Sequence, residues 1–243
     1  MRINWNIIWF IILVGIIATL YSFSNKRNTV RKLTRIDIEF IDENSPFITL
    51  AAVNKLLIQN FDSITSIDKE TLVLNKMEDR LLENPMIKNA EVYLTIEGVV
   101  GAKIEQRRPI ARVTGSHDFY IDDEGKKMPL SEVHSARVPL VTGHSNTDNK
   151  KLSDLLLQID KDEYMKKNVI GLNIAGDGSV IMNLRKKDFL VEFGKPTGID
   201  KKFQKLKAFN KRINKDSLQF KYSSVNLRYK DQVIAIKKKN HGE

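Results

Sequence analysis

Hydrophobic and polar positions divide the chain into three regions. The first is an unbroken apolar run: from Ile7 to Phe23 the sequence reads IIWFIILVGIIATLYSF, with no charged residue. Tolerating Asn4 and Asn6, it offers about twenty residues, enough for a helix to cross a hydrocarbon core of about 30 Å. Trp5, Trp9 and Tyr21 stand near its two ends, where amphipathic rings favour the headgroup boundary. A cleaved signal peptide would have a shorter apolar stretch ending at small residues, and Tyr21-Ser22-Phe23-Ser24-Asn25-Lys26 supplies no such exit. The expectation is a retained transmembrane helix within residues 1–25 and a basic juxtamembrane linker over 26–34.

The second region alternates. Ile36, Ile38 and Phe40 interleave with Asp37 and Glu39, the period of a half-buried strand. Thr49 is placed to cap a helix in which Leu50, Val53, Leu57 and Phe61 share one face. Asp68 is placed to cap a second, with Leu74, Met77 and Leu81 on its inner stripe and Pro85 closing it. Val92, Leu94 and Ile96 then alternate with Tyr93, Thr95 and Glu97. Gly98 turns the chain, and Val100, Ala102 and Ile104 alternate with Lys103 and Glu105. The order is β-α-α-β-β, and two helices on one face of a three-stranded sheet bury these stripes.

From about 115 the pattern is mainly β. Phe119 to Ile121, Val138 to Gly143, Leu172 to Ala175, Val180 to Leu184 and Leu190 to Phe193 read as short strands, with Gly176-Asp177-Gly178 as a tight hairpin turn. Leu152, Leu155, Leu156 and Ile159 propose a helix. A longer one carries Ile199, Phe203, Leu206, Phe209 and Ile213 on one stripe. Val225 to Tyr229 and Val233 to Ile236 follow as terminal strands. The fold class is α+β: an N-terminal transmembrane helix, a β-α-α-β-β domain and a mainly antiparallel β-domain with flanking helices.

The 243 residues, 42% of them hydrophobic and 29% charged, suffice for one or two domains with real cores. The absence of cysteine excludes disulfides, thiolate metal sites and a cysteine nucleophile. A net charge of +10 suits lipid headgroups, wall polymer or nucleic acid as partners, and equally plain lysine-rich solubility. Only Arg2 precedes the apolar run, while Lys26, Arg27, Arg31, Lys32 and Arg35 follow it. The positive-inside tendency would therefore keep the bulk of the chain in the cytoplasm, although long domains translocate regardless of flanking charge.

No motif carries chemistry. His117, His134, His144 and His241 lack metal-ligand spacing, and no nucleophile elbow, P-loop or dinucleotide fingerprint occurs. Asp122-Asp123-Glu124-Gly125 reads as a hairpin turn, since it lacks the alternating acids of a calcium loop. Arg107-Arg108, Arg185-Lys186-Lys187 and Lys237-Lys238-Lys239 lack the aromatic interleaving of a nucleic-acid surface. The chain is expected to be no enzyme, with no catalytic, metal or cofactor-binding residue, no small-molecule substrate and no nucleic-acid partner.

The β-α-α-β-β order, with Asn84-Pro85-Met86-Ile87-Lys88-Asn89-Ala90-Glu91-Val92 leading into Ile104-Glu105-Gln106-Arg107-Arg108-Pro109-Ile110-Ala111, resembles a POTRA domain, and more narrowly that of the bacterial cell-division family FtsQ/DivIB. Gln106 displaces the family's usual arginine by one place. After this domain, Tyr120 to Gly125 and Val138 to Gly143 follow the family's order, as does Val225-Asn226-Leu227-Arg228-Tyr229, with Asn226 where Asp is usual. The resemblance implies a POTRA domain over 35–114, an FtsQ/DivIB-type β-domain over 115–237 and a basic tail over 238–243. It implies a single-pass protein of the inner membrane at the division septum, N-terminus cytoplasmic and bulk periplasmic, that recruits and regulates septal wall synthesis. The partners it implies are small coiled-coil membrane proteins of the FtsB and FtsL type, with other divisome components, bound largely through the far C-terminal strands.

A small open sheet exposes unpaired N–H and C=O groups to which a partner strand adds. The partner-binding candidates along such an edge are Val225, Leu227, Arg228, Tyr229, Val233, Ile234, Ala235 and Ile236. A different reading is an anchored POTRA chaperone-like module of an outer-membrane assembly or secretion system. A third is an anchored wall-active enzyme, for which no constellation is present.

Overall fold

The computed structural model describes residues 5–29, 34–41, 46–58, 74–143, 149–215 and 221–238. Phe61, Asp68, His144, His241 and Lys239 lie outside them, as do residues 30–33 of the linker and 239–243 of the basic tail. The chain divides into two units, Met1–Gln106 and Arg107–Glu243.

The apolar run forms α1, Trp5–Thr29. Its described side chains from 8 to 24 are exposed on every side. The expected transmembrane helix is not shown: among the described residues, no helix is long and apolar enough to cross a membrane. The expected linker is also corrected, since α1 continues through 26–29.

The rest of the first unit is a three-stranded sheet with two helices. Strand β1, Arg35–Phe40, pairs in parallel with β3, Val99–Gln106, and β3 pairs antiparallel with β2, Ile87–Leu94. Helix α2, Leu50–Ile58, starts where Thr49 Oγ1 accepts the Ala52 amide at 3.1 Å, the cap its sequence proposes. Val53 and Leu57 of α2, Met77 and Leu81 of α3 (Leu74–Leu82), and Val92, Val100, Ala102 and Ile104 are buried together as core residues. Two expectations need correcting. Leu50 is more than half exposed, so the stripe of α2 begins one turn later. Ile96 is exposed because β2 ends at Leu94 and Thr95 to Gly98 make the turn, Gly98 adopting φ 88°. Gln106 is buried: its side-chain carbonyl accepts the Phe47 and Ile48 amides at 2.7 and 3.3 Å.

The second unit is a nine-stranded sheet. Its strands in chain order are β4 (Pro109–Val113), β5 (Phe119–Asp122), β6 (Lys127–Met128), β7 (Leu140–Thr142), β8 (Val169–Ile174), β9 (Val180–Leu184), β10 (Leu190–Gly194), β11 (Tyr222–Asn226) and β12 (Ile234–Lys237). Across the sheet they run β12-β11-β10-β9-β8-β7-β4-β5-β6. The pairing is mainly antiparallel, with β10–β11, β4–β7 and β7–β8 parallel. Helices α4 (Asn149–Lys161), α5 (Glu163–Asn168) and α6 (Ile199–Lys215) supply Leu155, Leu156, Met165, Phe203, Leu206 and Ile213 to one core with Val141, Met182, Val191 and Val225.

The domain boundary expected at 114 falls instead at 106. Pro109–Val113 is strand β4, paired to β5 and β7, so it belongs to the second unit. Arg107 and Asp122 bind within that unit at 2.7 Å, with the aspartate side chain fully buried. The other Asp122 oxygen accepts the Glu124 and Lys126 amides, so 122–125 is the hairpin turn its sequence suggests.

Candidate partner-binding edge

The site follows from strand order. β12 is the outermost strand of the large sheet and pairs only with β11, in the register Asn226↔Ile234, Val225↔Ala235 and Ser224↔Ile236. β11 is an inner strand, flanked on its other side by β10 through Val191↔Val225. Val225 and Leu227 are therefore core residues with no exposed surface, and they are not edge positions. This corrects two of the eight candidates. Val225 to Tyr229 is also not one strand, since β11 ends at Asn226.

The remaining candidates surround the edge. On β12, Ala235 is half-buried against the core, as is Val233 just before the strand, while Ile234 and Ile236 are exposed on the opposite face. Lys238 donates its amide to the Lys221 carbonyl at 2.9 Å. Antiparallel backbone groups alternate, so the amides of Ile236 and Ile234 also point to β11, and those of Ala235 and Lys237 point away from the sheet. The free edge therefore offers the N–H and C=O groups of Ala235 and Lys237.

The other edges in the described residues are β1, β2 and β6, and on β2 the Val92 amide already donates to Glu78 Oε1 at 2.8 Å. β6 has two residues. β1 places Arg35, Asp37 and Glu39 at alternate positions, a charged blunting of the kind that deters pairing. By contrast, β12 begins Ile-Ala-Ile. Of the basic residues near it, Arg228 and Lys230 sit in the connection before the strand, and Lys237 is on it.

Arg228 is placed by its neighbours. Its aliphatic stem lies over Gly194, where an added Cβ would come within 2.8 Å of Arg228 Cγ and where φ is 72°. Its guanidinium is 3.7 Å from Glu192 Oε2, and its backbone amide donates to Asn226 Oδ1 at 2.9 Å. Asn226 Nδ2 donates to the same Glu192 oxygen at 2.8 Å. Arg228 also adds to the pull on Asp177, whose carboxyl is held below its ordinary range chiefly by the hydroxyl and amide of Ser179. Tyr229, next in the connection, leaves its ring half exposed.

The sequence did not single out Glu192, Gly194 or Asn226 as part of this corner. Asn226 was the one with a signal, since it departs from the family pattern at that point. Among the described residues, no three His, Asp or Glu side chains are grouped to hold a metal.

Comparison with known families agrees with this architecture. A family model for a POTRA-like domain matches residues 31–105. The model described as FtsQ/DivIB, C-terminal related, matches residues 108–236. No curated protein is matched by the chain. The second match ends at Ile236, inside β12, and covers more than half of the 243 residues: the chain belongs to the FtsQ/DivIB family.

Proposed function

We propose that this chain is a non-enzymatic, membrane-anchored scaffold of the bacterial division machinery, one that recruits and regulates septal wall synthesis by accepting a partner segment as an added strand on β12. Family membership supports the division role. The observation that carries the mechanism is the four-residue edge of Ile234, Ala235, Ile236 and Lys237, apolar at its start and free along one side. A strand laid beside it forms its ladder with Ala235 and Lys237 and packs side chains against Ile234 and Ile236, the unit by which sheets are stabilised. Arg228 and Tyr229 stand in the adjoining connection as an ionic and an aromatic contact. The partners proposed are small membrane division proteins of the FtsB and FtsL type. Anchoring is proposed from the sequence, on the charge-free run from Ile7 to Phe23, and the described side chains of α1 from 8 to 24 are exposed on every side.

Proline separates the free face of the edge from its paired face, because it lacks the N–H. Ala235→Pro and Lys237→Pro delete outward donors and leave the bonds to β11, while Ile234→Pro deletes an inward one. The first two are expected to keep the circular dichroism of the wild-type body and to weaken capture of an FtsB-like extracytoplasmic domain by about tenfold or more, the scale of one or two lost ladder bonds. Wild-type affinity in both folded variants would refute strand addition at β12.

A further inference from the structure

The connection from β11 to β12 carries Arg228 and Tyr229 and sets where β12 begins, yet it has little structure of its own. Leu227 is anchored by its buried side chain and by its amide, which donates to Glu192 O at 3.0 Å. Beyond it, among the described residues, the hydrogen bonds to residues 229–232 come from one side chain. Lys205, on the first half of α6, donates from Nζ to the carbonyls of Tyr229 at 2.6 Å, Lys230 at 3.3 Å and Leu227 at 3.5 Å. An ammonium has three N–H donors and no acceptor, so three converging carbonyls satisfy it completely. One turn earlier, Lys202 does the same for the end of β10. Its Nζ donates to Phe193 O and Lys195 O and lies 4.6 Å over the Phe193 ring, and burial together with the neighbouring Lys205 lowers its pKa.

We infer that Lys205 is a positioning residue for partner recognition, a latch that ties the 227–230 connection to α6 so that Arg228, Tyr229 and the start of β12 are held in one arrangement before a partner arrives. This rests on the reading of β12 as the acceptor edge. A connection ordered in advance does not have to be ordered at binding, which is where recognition by loops loses affinity. The helix is a suitable mount, since Phe203 and Leu206 on either side of Lys205 are buried in the core.

The test has two arms, each on the full chain in detergent. Lys205→Met keeps the length of the side chain and removes the donors, and Lys205→Arg restores donors. In the first arm, amide hydrogen exchange is followed at the hydrogen-bonded amides that flank the connection, Leu227, Arg228 and Ile234, with the amides of β9 and β10 as an internal reference for global unfolding. The latch requires that exchange at Leu227, Arg228 and Ile234 accelerate by about tenfold or more in Lys205→Met while the reference amides stay protected, and that Lys205→Arg recover part of the protection. In the second arm, the Kd for an FtsB-like extracytoplasmic domain is expected to rise about tenfold in Lys205→Met, with partial recovery in Lys205→Arg. Unchanged exchange in Lys205→Met overturns the latch, including where binding is lost, since Lys205 would then touch the partner directly. Faster exchange with unchanged Kd also overturns it as a recognition device. If the wild-type chain fails to bind that probe, the reading of β12 is what fails, and the exchange arm still decides whether Lys205 holds the connection.

Discussion

Position 226, where the resemblance leads one to expect aspartate, holds asparagine, and the structure shows what its amide does there. Asn226 donates to Glu192 with its amide nitrogen and accepts from Arg228 with its oxygen, two roles that a carboxylate cannot fill together. An aspartate would set a second negative charge 2.8 Å from Glu192. Asn226→Asp is expected to lower stability by roughly 1–2 kcal/mol in urea at neutral pH, the scale of a charged hydrogen bond turned repulsive. Combining it with Glu192→Gln should restore most of the loss, as coupled neighbours do. A single-variant loss under about 0.5 kcal/mol, or no rescue in the double variant, would show that Glu192 turns away. Other residues were harder to read. Gln106 displaces by one place the arginine that the resemblance leads one to expect, and its side chain accepts two amides before α2 while Arg107 holds Asp122. Asn210 sits within the apolar stripe of α6, buried and without a hydrogen-bond partner, and nothing in the structure explains it.

Elements with strong local periodicity were legible and those defined by distant pairing were not. The stripe of α6 and the 176–178 turn follow from spacing, with Asp177 accepting the Ser179 amide at 2.9 Å. By contrast, β4 reads as a continuation of β3 until its pairing with β7, more than twenty-five residues away, assigns it elsewhere. Helix α5 is too short to show a period, and its start is marked by Asp162, which accepts the Met165 amide. The corner between α4 and α5 is tied to β4's approach by charge: Arg108 makes a two-bond contact with Asp160, at 2.7 and 3.1 Å, and Lys166 adds a third at 2.8 Å. The Arg108 hydrogen bond, more than any other contact, holds the Asp160 carboxyl below its ordinary 3.8. A pKa depressed by folding stabilises above the unfolded value and loses that stability as pH falls through the folded one. Asp160→Asn should therefore cost about 1 kcal/mol at pH 6, the worth of a partly buried bidentate pair. The gap to wild type should close as pH drops below 3.8. A gap independent of pH down to 2.5 would show that the carboxylate charge is not what Arg108 recognises.

For the whole molecule, the two units and their order were readable from the sequence, although their boundary lies eight residues earlier than expected. Strand order within the large sheet was not: the terminal segment reads as two strands, and only the pairing of β11 with β10 shows that one of them is interior. Orientation relative to a membrane is the remaining question at this scale. The proposed function requires residues 35–243 on the outer side, against the tendency of Lys26, Arg27, Arg31, Lys32 and Arg35. A C-terminal fusion to an enzyme that works only outside the cytoplasm is expected to be active. Activity of a cytoplasm-only reporter at that position would remove the anchored-scaffold reading altogether.

The parallel pairing of β10 with β11 has a kinetic consequence. Glu192 and Asn226 meet across 34 residues, with all of α6 between them, so closing this crossover carries the loop entropy of the whole segment. Closing such a loop is slow compared with zipping a hairpin. β11 and β12 are antiparallel neighbours in sequence and can zip locally, but their edge becomes part of the large sheet only when β11 docks on β10, the longer-range of its two pairings. A partner that needs β12 backed by the whole sheet would thereby also be reading completion, because a chain in which β11 has not docked on β10 offers an unsupported hairpin in place of a sheet edge.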